Sequence, residues 1–277
     1  MSTKEWAING VDLNTMAYRV EEVLSGLGFP GRKGENVNVP YSDGARFVPK
    51  KPLEERTITL SMWVRSSSPD GSLIIVSPGP PVVYEDRKIT LQRNLDSLAR
   101  IFGQGNLMSI SRKMADESIR TIQAECRQSF YFSHRRTGEV RFAVDLLAPY
   151  PLWEGAEITE TLPLTLASHA WLITNPGTAT TRKLEIKVTG ATEGFKLENQ
   201  TTGAWVRFGG STLAGEVLVI SSPGNEAEVD GANQVGMITH AGDPAFMVLA
   251  PGANSLVVTC DVVPASTLEI IYNTPYI

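Results

Sequence analysis

Hydrophobic and polar residues alternate with a period of two over several stretches of the first half of the chain. Residues 57–64 place Ile58, Leu60, Met62 and Val64 on one face, the pattern of a half-buried strand. Residues 119–127 and 141–147 alternate too, with Phe142, Val144 and Leu146 on the inner face of the latter. Asn9-Gly10, between Trp6-Ala7-Ile8 and Val11-Asp12-Leu13, carries the signature of a two-residue hairpin.

One segment has a different period. Leu91, Leu95, Leu98 and Phe102 follow the stripe of an amphipathic helix over residues 86–102, with Asp86 as N-cap and Gly103 as the C′ residue. Loop signals at 66–72 and 77–81 bracket a short apolar strand, Leu73 to Val76. Residues 66–84 therefore read as a protruding arm or hairpin.

Past residue 153 helical periodicity disappears. Short apolar runs recur at 184–188, 205–208, 217–220, 246–249, 256–260 and 268–272. Turn dipeptides such as Pro176-Gly177, Gly209-Gly210, Pro251-Gly252 and Asp230-Gly231 separate them, as in a sandwich or barrel. Pro149 and Pro151 stiffen the exit from the strand at 141–147. The reading is mainly β, with domains at 1–150 and 151–277.

Charge divides at the same place. Residues 1–150 hold 20 Lys and Arg against 17 Asp and Glu; residues 151–277 hold 5 against 13. Neither half has the basic balance of a specific nucleic-acid binder. The opening Met1-Ser2-Thr3-Lys4-Glu5-Trp6 has no apolar run of signal-peptide length, and no stretch approaches the ~18 apolar residues of a membrane span. Synthesis in a cytoplasm without membrane insertion is expected. Cys126 and Cys260 then stay reduced and read as two buried thiols, and the sequon at Asn199 is not a glycosylation site.

The search for chemistry assigns no catalytic, cofactor-binding or metal-ligating residue. Gly26 to Gly31 matches G-x-G-x-x-G, but Pro30 lies inside it and no helix follows, so it reads as a loop. His134, His169 and His240 are isolated, without the tight local spacing of metal ligands. His134 reads as a surface loop residue, and whether His169 meets His240 in space is open. Glu21-Glu22 and Glu54-Glu55 are adjacent and so point to opposite faces of a strand. The basic run Arg46, Lys50, Lys51 and Arg56 is either an anion- or partner-facing loop or a solvated connection countered by Glu54 and Glu55. Trp153, Trp171, Trp205 and Phe208 are core aromatics, or alternatively a sugar platform.

Together these features resemble the distal tail protein family of long-tailed, non-contractile bacteriophages, the siphoviruses. The resemblance is carried by Tyr41-Ser-Asp-Gly-Ala-Arg46 before the strand at 57–64, the single helix, and the junction Ala148-Pro-Tyr-Pro-Leu-Trp153. It is also carried by Asn175-Pro176-Gly177-Thr178-Ala179 with the following run to Gly190, and by the closing Tyr272-Asn-Thr-Pro-Tyr276. The junction departs from the family pattern in having Ala148 where Asp is common, and an extra Pro-Leu before Trp153. The resemblance implies an N-terminal β-sandwich belt domain with one α-helix and a C-terminal galectin-like β-sandwich. It implies a non-enzymatic virion protein of the tail tip, needing no cofactor: a homo-hexameric ring joining the tail tube protein to the tail-tip hub or tail-associated lysin. Its channel would pass tape-measure protein and DNA, and receptor-binding proteins are further partners. The alternative is a carbohydrate-binding module that attaches to the host surface.

Overall fold

The computed structural model describes residues 5–34, 37–38, 45–46, 52–70, 75–77, 83–84, 86–103, 105–127, 131–136, 138–222, 224–242 and 246–277. Contacts divide the chain into two units, Met1–Trp153 with Ile277, and Glu154–Tyr276.

In the first unit Asn9 and Gly10 have φ of 48° and 79°, the left-handed pair that a type I′ turn requires, and join Trp6–Ile8 to Val11–Asp12. Trp6–Ile8 pairs with Met108–Lys113, which forms a hairpin with Ile119–Cys126. A second group of strands runs in the order Tyr18–Ser25, Arg56–Arg65, Glu139–Ala148, Tyr131–Arg136. Glu125 and Cys126 pair with Leu147 and Leu146, linking the two groups.

The long central pair shows why the register holds. Ile58 faces Leu146, Leu60 faces Val144, Met62 faces Phe142, and Val64 faces Val140. All eight side chains are buried. At about 1.5–3 kcal/mol for each buried apolar side chain, a one-residue slip would expose a large part of this unit's core.

The helix Arg87–Phe102 packs on strand Arg56–Arg65. Asp86 caps it by accepting from Lys88 N at 2.7 Å. Gly103 is not the left-handed residue expected at its end: its φ is −87°, and its N–H continues the helical bonding to Ala99 O. The buried stripe is Thr90, Leu91, Asn94, Leu98 and Phe102, with Leu95 only half-buried. Asn94 enters this stripe because its Nδ2 donates to Arg65 O at 2.7 Å and Ser67 O at 2.8 Å, pinning the helix to the strand end. Asn94→Ala is expected to lower the stability of the N-terminal unit by about 1–3 kcal/mol. In denaturant titrations the exposed Gln92→Ala serves as the neutral reference.

Of the arm at 66–84, residues 71–74 and 78–82 lie outside the described residues. The described part holds a short pairing of Ile75–Ser77 with Val83–Tyr84.

The second unit is a two-layer β-sandwich. One layer orders Trp153–Leu164, Ala265–Tyr276, Leu184–Glu193, Val217–Ser221 and Glu226–Val229; the other orders Ser168–Asn175, Gly252–Thr259, Lys196–Asn199, Ala204–Phe208 and Ile238–Ala241. Ile186, Val188, Phe195, Leu197, Leu218, Leu256, Val258 and Ile270 fill the space between the layers. The run Phe246–Leu249 is not the strand its apolar pattern predicts. All four side chains are buried, but Phe246 has φ of 57° and only an isolated bridge joins Leu249 to Thr181. Side chains take over the ladder's work here: Asn199 Nδ2 donates to Val248 O, and Asn175 Nδ2 to Leu249 O.

Candidate functional site

In the first unit, strands Tyr18–Ser25 and Tyr131–Arg136 are each paired on one side only among the described residues. They are the two free edges of one four-stranded group, and a free edge offers unpaired N–H and C=O groups to a further strand. The edges differ in charge. Tyr18–Ser25 carries exposed Glu21 and Glu22, with exposed Leu24 beyond them, and Leu27 and Phe29 exposed in the following loop. Tyr131–Arg136 contains His134, Arg135 and Arg136, in register with Arg141, Val140 and Glu139.

Glu21 and Glu22 do not take opposite faces as simple alternation expects. The register shifts between Val20 and Glu22, and this bulge leaves both carboxylates in solvent. Behind this edge, Arg19, Trp63 and Arg141 form one cross-strand row. Arg65 lies over the Trp63 ring at 4.2 Å. Glu139 is bonded to Arg65 and Arg141, both at 3.2 Å; hydrogen bonds from Arg141, then from Arg65, hold its carboxyl below the usual carboxylate range. Arg141 also reaches Glu21 at 3.3 Å. A cleft of about 690 Å³ adjoins this row, lined by Asp12, Asn14, Arg19, Trp63, Arg65 and Asp70 among others.

The other candidates are dispersed. Gly26 (φ 92°) ends the edge strand where a Cβ would lie 2.4 Å from Thr57 O, and no helix starts in the described residues 26–34. Gly26 thus serves a tight crossing of the backbone at Thr57 and Ile58. Of the basic run, Lys50, Lys51 and the Arg46 side chain lie outside the described residues. Arg56 is neither solvated nor loop-borne: it opens strand Arg56–Arg65, is 3% exposed, and donates from Nη1 to Gly26 O at 2.9 Å. Burial pushes its pKa down from the usual guanidinium value. Among the described residues its Nε and Nη2 have no hydrogen-bond partner.

His134 is on a strand and not in a loop. His169 Nε2 accepts from the backbone N–H groups of Thr165 and Leu166, and His240 packs edge-on to Phe246 at 4.8 Å. His169 and His240 sit on opposite edge strands of the same five-stranded layer, so they do not meet. Among the described residues no three His, Cys, Asp or Glu side chains are grouped to hold a metal ion. Cys260 is buried, which pushes its thiol pKa up, whereas Cys126 is only half-buried. Trp153 and Phe208 are core residues, Trp153 lying edge-on to Trp6 at 6.1 Å. Trp171 packs partly buried against the sandwich core, and the Lys196 ammonium lies over the half-buried Trp205 ring at 5.1 Å. These four aromatics therefore form no single open platform.

No curated protein sequence matches the chain. A family model described as siphovirus-type tail component, C-terminal domain, matches residues 176–276. Among solved structures, the Dit protein of phage SPP1, described as a paradigm of the hub adsorption apparatus in phages infecting Gram-positive bacteria, is similar at 15% identity. That similarity covers 97% of this chain and 98% of the other, with a TM-score of 0.69. A chain of the phage p2 baseplate in its activated conformation is similar at 8% identity over 94% of this chain and 92% of that one, with a TM-score of 0.43. Residues 176–276 therefore match the model of a siphovirus-type tail component C-terminal domain, on a chain whose fold over nearly its whole length is similar to that of SPP1 Dit.

Proposed function

We propose that the chain is a structural protein of a siphovirus tail tip, and that six copies close into a ring between the tail tube and the hub. The observation that carries this reading is the family match of residues 176–276 to a siphovirus tail component. The free edges described above support the ring. A closed ring is built from head-to-tail contacts between two different surfaces of one chain. Here one edge is acidic, with Glu21 and Glu22, and the other contains Arg135 and Arg136. Charge complementarity of this kind sets register and rejects the wrong edge pairings.

In this reading the N-terminal unit is the belt that forms the ring. The arm at 66–84 adds a subunit contact, and the C-terminal unit is a galectin-like sandwich carried on the ring. The partners are the tail tube protein, the hub or tail-associated lysin, and the tape-measure protein passing through the channel. A net charge of −5 suits a passage that DNA must leave freely, because a basic lining would neutralise phosphates and retain it.

Native mass spectrometry and negative-stain imaging of the full chain at micromolar concentration test the ring; a strict monomer overturns it. The edge pairing has its own test. Glu21→Arg with Glu22→Arg is expected to reduce the ring population about tenfold or more, since it sets like charges against each other. Adding Arg135→Glu and Arg136→Glu to the same chain is expected to restore the ring. Rings unaffected by the first pair of changes exclude this edge contact.

A further inference from the structure

Arg56 is the only charged side chain that is buried among the described residues. The period of its strand puts it there: Arg56, Ile58, Leu60, Met62 and Val64 share the buried face of Arg56–Arg65. An arginine in such a place is ordinarily paired with a carboxylate.

The described residues bring no carboxylate to it. Glu54 and Glu55, its acidic neighbours in the chain, are exposed, and Glu55 is directed to Arg127 at 3.8 Å. The residue opposite Arg56 on strand Glu139–Ala148 is Ala148, which is buried and carries only a methyl group. Burial lowers the Arg56 pKa, and no acidic residue acts against that fall.

The guanidinium is nonetheless held in one orientation. Nη1 donates to Gly26 O at 2.9 Å, just past the end of the edge strand Tyr18–Ser25. The two nitrogens without a partner among the described residues, Nε and Nη2, lie on one edge of the guanidinium plane. Their N–H groups point the same way and make the fork that takes both oxygens of a single carboxylate.

Burial and charge together select the ligand. Both nitrogens are out of reach of solvent, so the ligand is small and is not the side chain of a docking partner. A water molecule would accept from the fork but leave the buried charge uncompensated, whereas an anion answers both needs. Among small anions a carboxylate also matches the fork in shape, with two coplanar oxygens; chloride offers one centre.

We propose that the Nε–Nη2 edge of Arg56 is a binding site for a small carboxylate, of formate or acetate size, beside Ala148 at the end of the edge strand. The site is independent of the tail-tip reading. Through Gly26 O the same guanidinium also fixes the turn that ends that strand.

Formate is the probe, with the full chain. Saturation-transfer NMR reads its binding, and thermal unfolding with formate replacing chloride at constant ionic strength reads its linkage to folding. The wild type is expected to give a saturable formate signal. Its melting temperature should rise by roughly 3–6 °C at about ten times the formate Kd. Arg56→Met removes charge and fork together and is expected to abolish both responses. Arg56→Lys keeps the charge without the fork and is expected to weaken formate binding about tenfold or more. Ala148→Asp places a carboxylate opposite Arg56. It is expected to weaken formate binding by a similar factor, by occupying the fork or by like charge. A formate response of wild-type size in Arg56→Lys or in Ala148→Asp assigns the anion to another cation and overturns the proposal. A wild-type chain that melts at the same temperature in formate and in chloride overturns it too.

Discussion

Asn199→Leu is expected to destabilise the C-terminal unit by about 3–6 kcal/mol. Asn199 has no exposed surface. Its Nδ2 donates to Val248 O at 2.8 Å and to Asn254 Oδ1 at 3.0 Å, and its Oδ1 accepts from Thr201 N at 3.0 Å. A leucine of similar volume removes all three bonds, leaving the buried Val248 O without this donor and Asn254 Oδ1 with Ala250 N alone, at about 1–3 kcal/mol for each such group. Against a typical total of about 5–15 kcal/mol, that is a large share, and it corresponds to a melting shift of roughly 10–25 °C for a unit of this size. The neighbouring Gln200→Leu, at an exposed position, is expected to change little. Denaturant unfolding followed by tryptophan fluorescence reads both; a loss below about 1 kcal/mol for Asn199→Leu would show that the asparagine bonds are replaceable.

That network also explains where the sequence was legible and where it was not. Strands with one buried face announced themselves: Ile58, Leu60, Met62 and Val64 alternate in the sequence because they alternate in the structure. The helix was equally readable, except that a stripe drawn from apolar residues omits Asn94, which is buried for its hydrogen bonds. Phe246–Leu249 misled for the opposite reason. Four consecutive apolar residues say that a segment is buried, but not whether a neighbouring strand or two asparagine side chains will satisfy its backbone. Strand Trp153–Leu164 gave no strong signal, because most of its residues are exposed or half-exposed.

The candidate interfaces were the least legible features. Whether Tyr18–Ser25 is an edge depends on which strands lie beside it, and that depends on pairings far apart in sequence, as Arg56 with Ala148. Arg56 reads as one of a run of basic residues, and only the crossing at Gly26 shows why it is buried. A catalytic triad or a metal site carries constraints on residue type; an interface asks only for exposure, apolar area and charge in one place, and many sequences supply those.

Gly177→Ala addresses the most motif-like stretch of the chain, Asn175-Pro176-Gly177-Thr178-Ala179. Asn175 is fully buried; its Oδ1 accepts from Gly177 N, and its Nδ2 donates to Ala179 O and Leu249 O. Thr178 N and Ala179 N both donate to Pro275 O on the last strand. The turn thus clips together the strand Ser168–Asn175, the buried Phe246–Leu249 segment and the end of Ala265–Tyr276. A Cβ on Gly177 would lie 2.2 Å from Pro275 O and 2.9 Å from Pro275 Cδ. Those neighbours belong to a proline in a paired strand, so they cannot swing aside as a long side chain would. Overpacking alone costs about 1–3 kcal/mol, and displacing the turn also breaks its bonds to Pro275 O, so a loss of about 3–5 kcal/mol is expected. Gly236, with nothing within 4 Å of an added Cβ, is the matched control, and Gly236→Ala should be neutral or slightly stabilising. Hydrogen exchange locates the effect: protection should fall first at Thr178, Ala179 and the last strand, while strand Arg56–Arg65 of the other unit keeps its protection. If Gly177→Ala unfolds with the same midpoint as Gly236→Ala, the close approach to Pro275 is not what holds this turn.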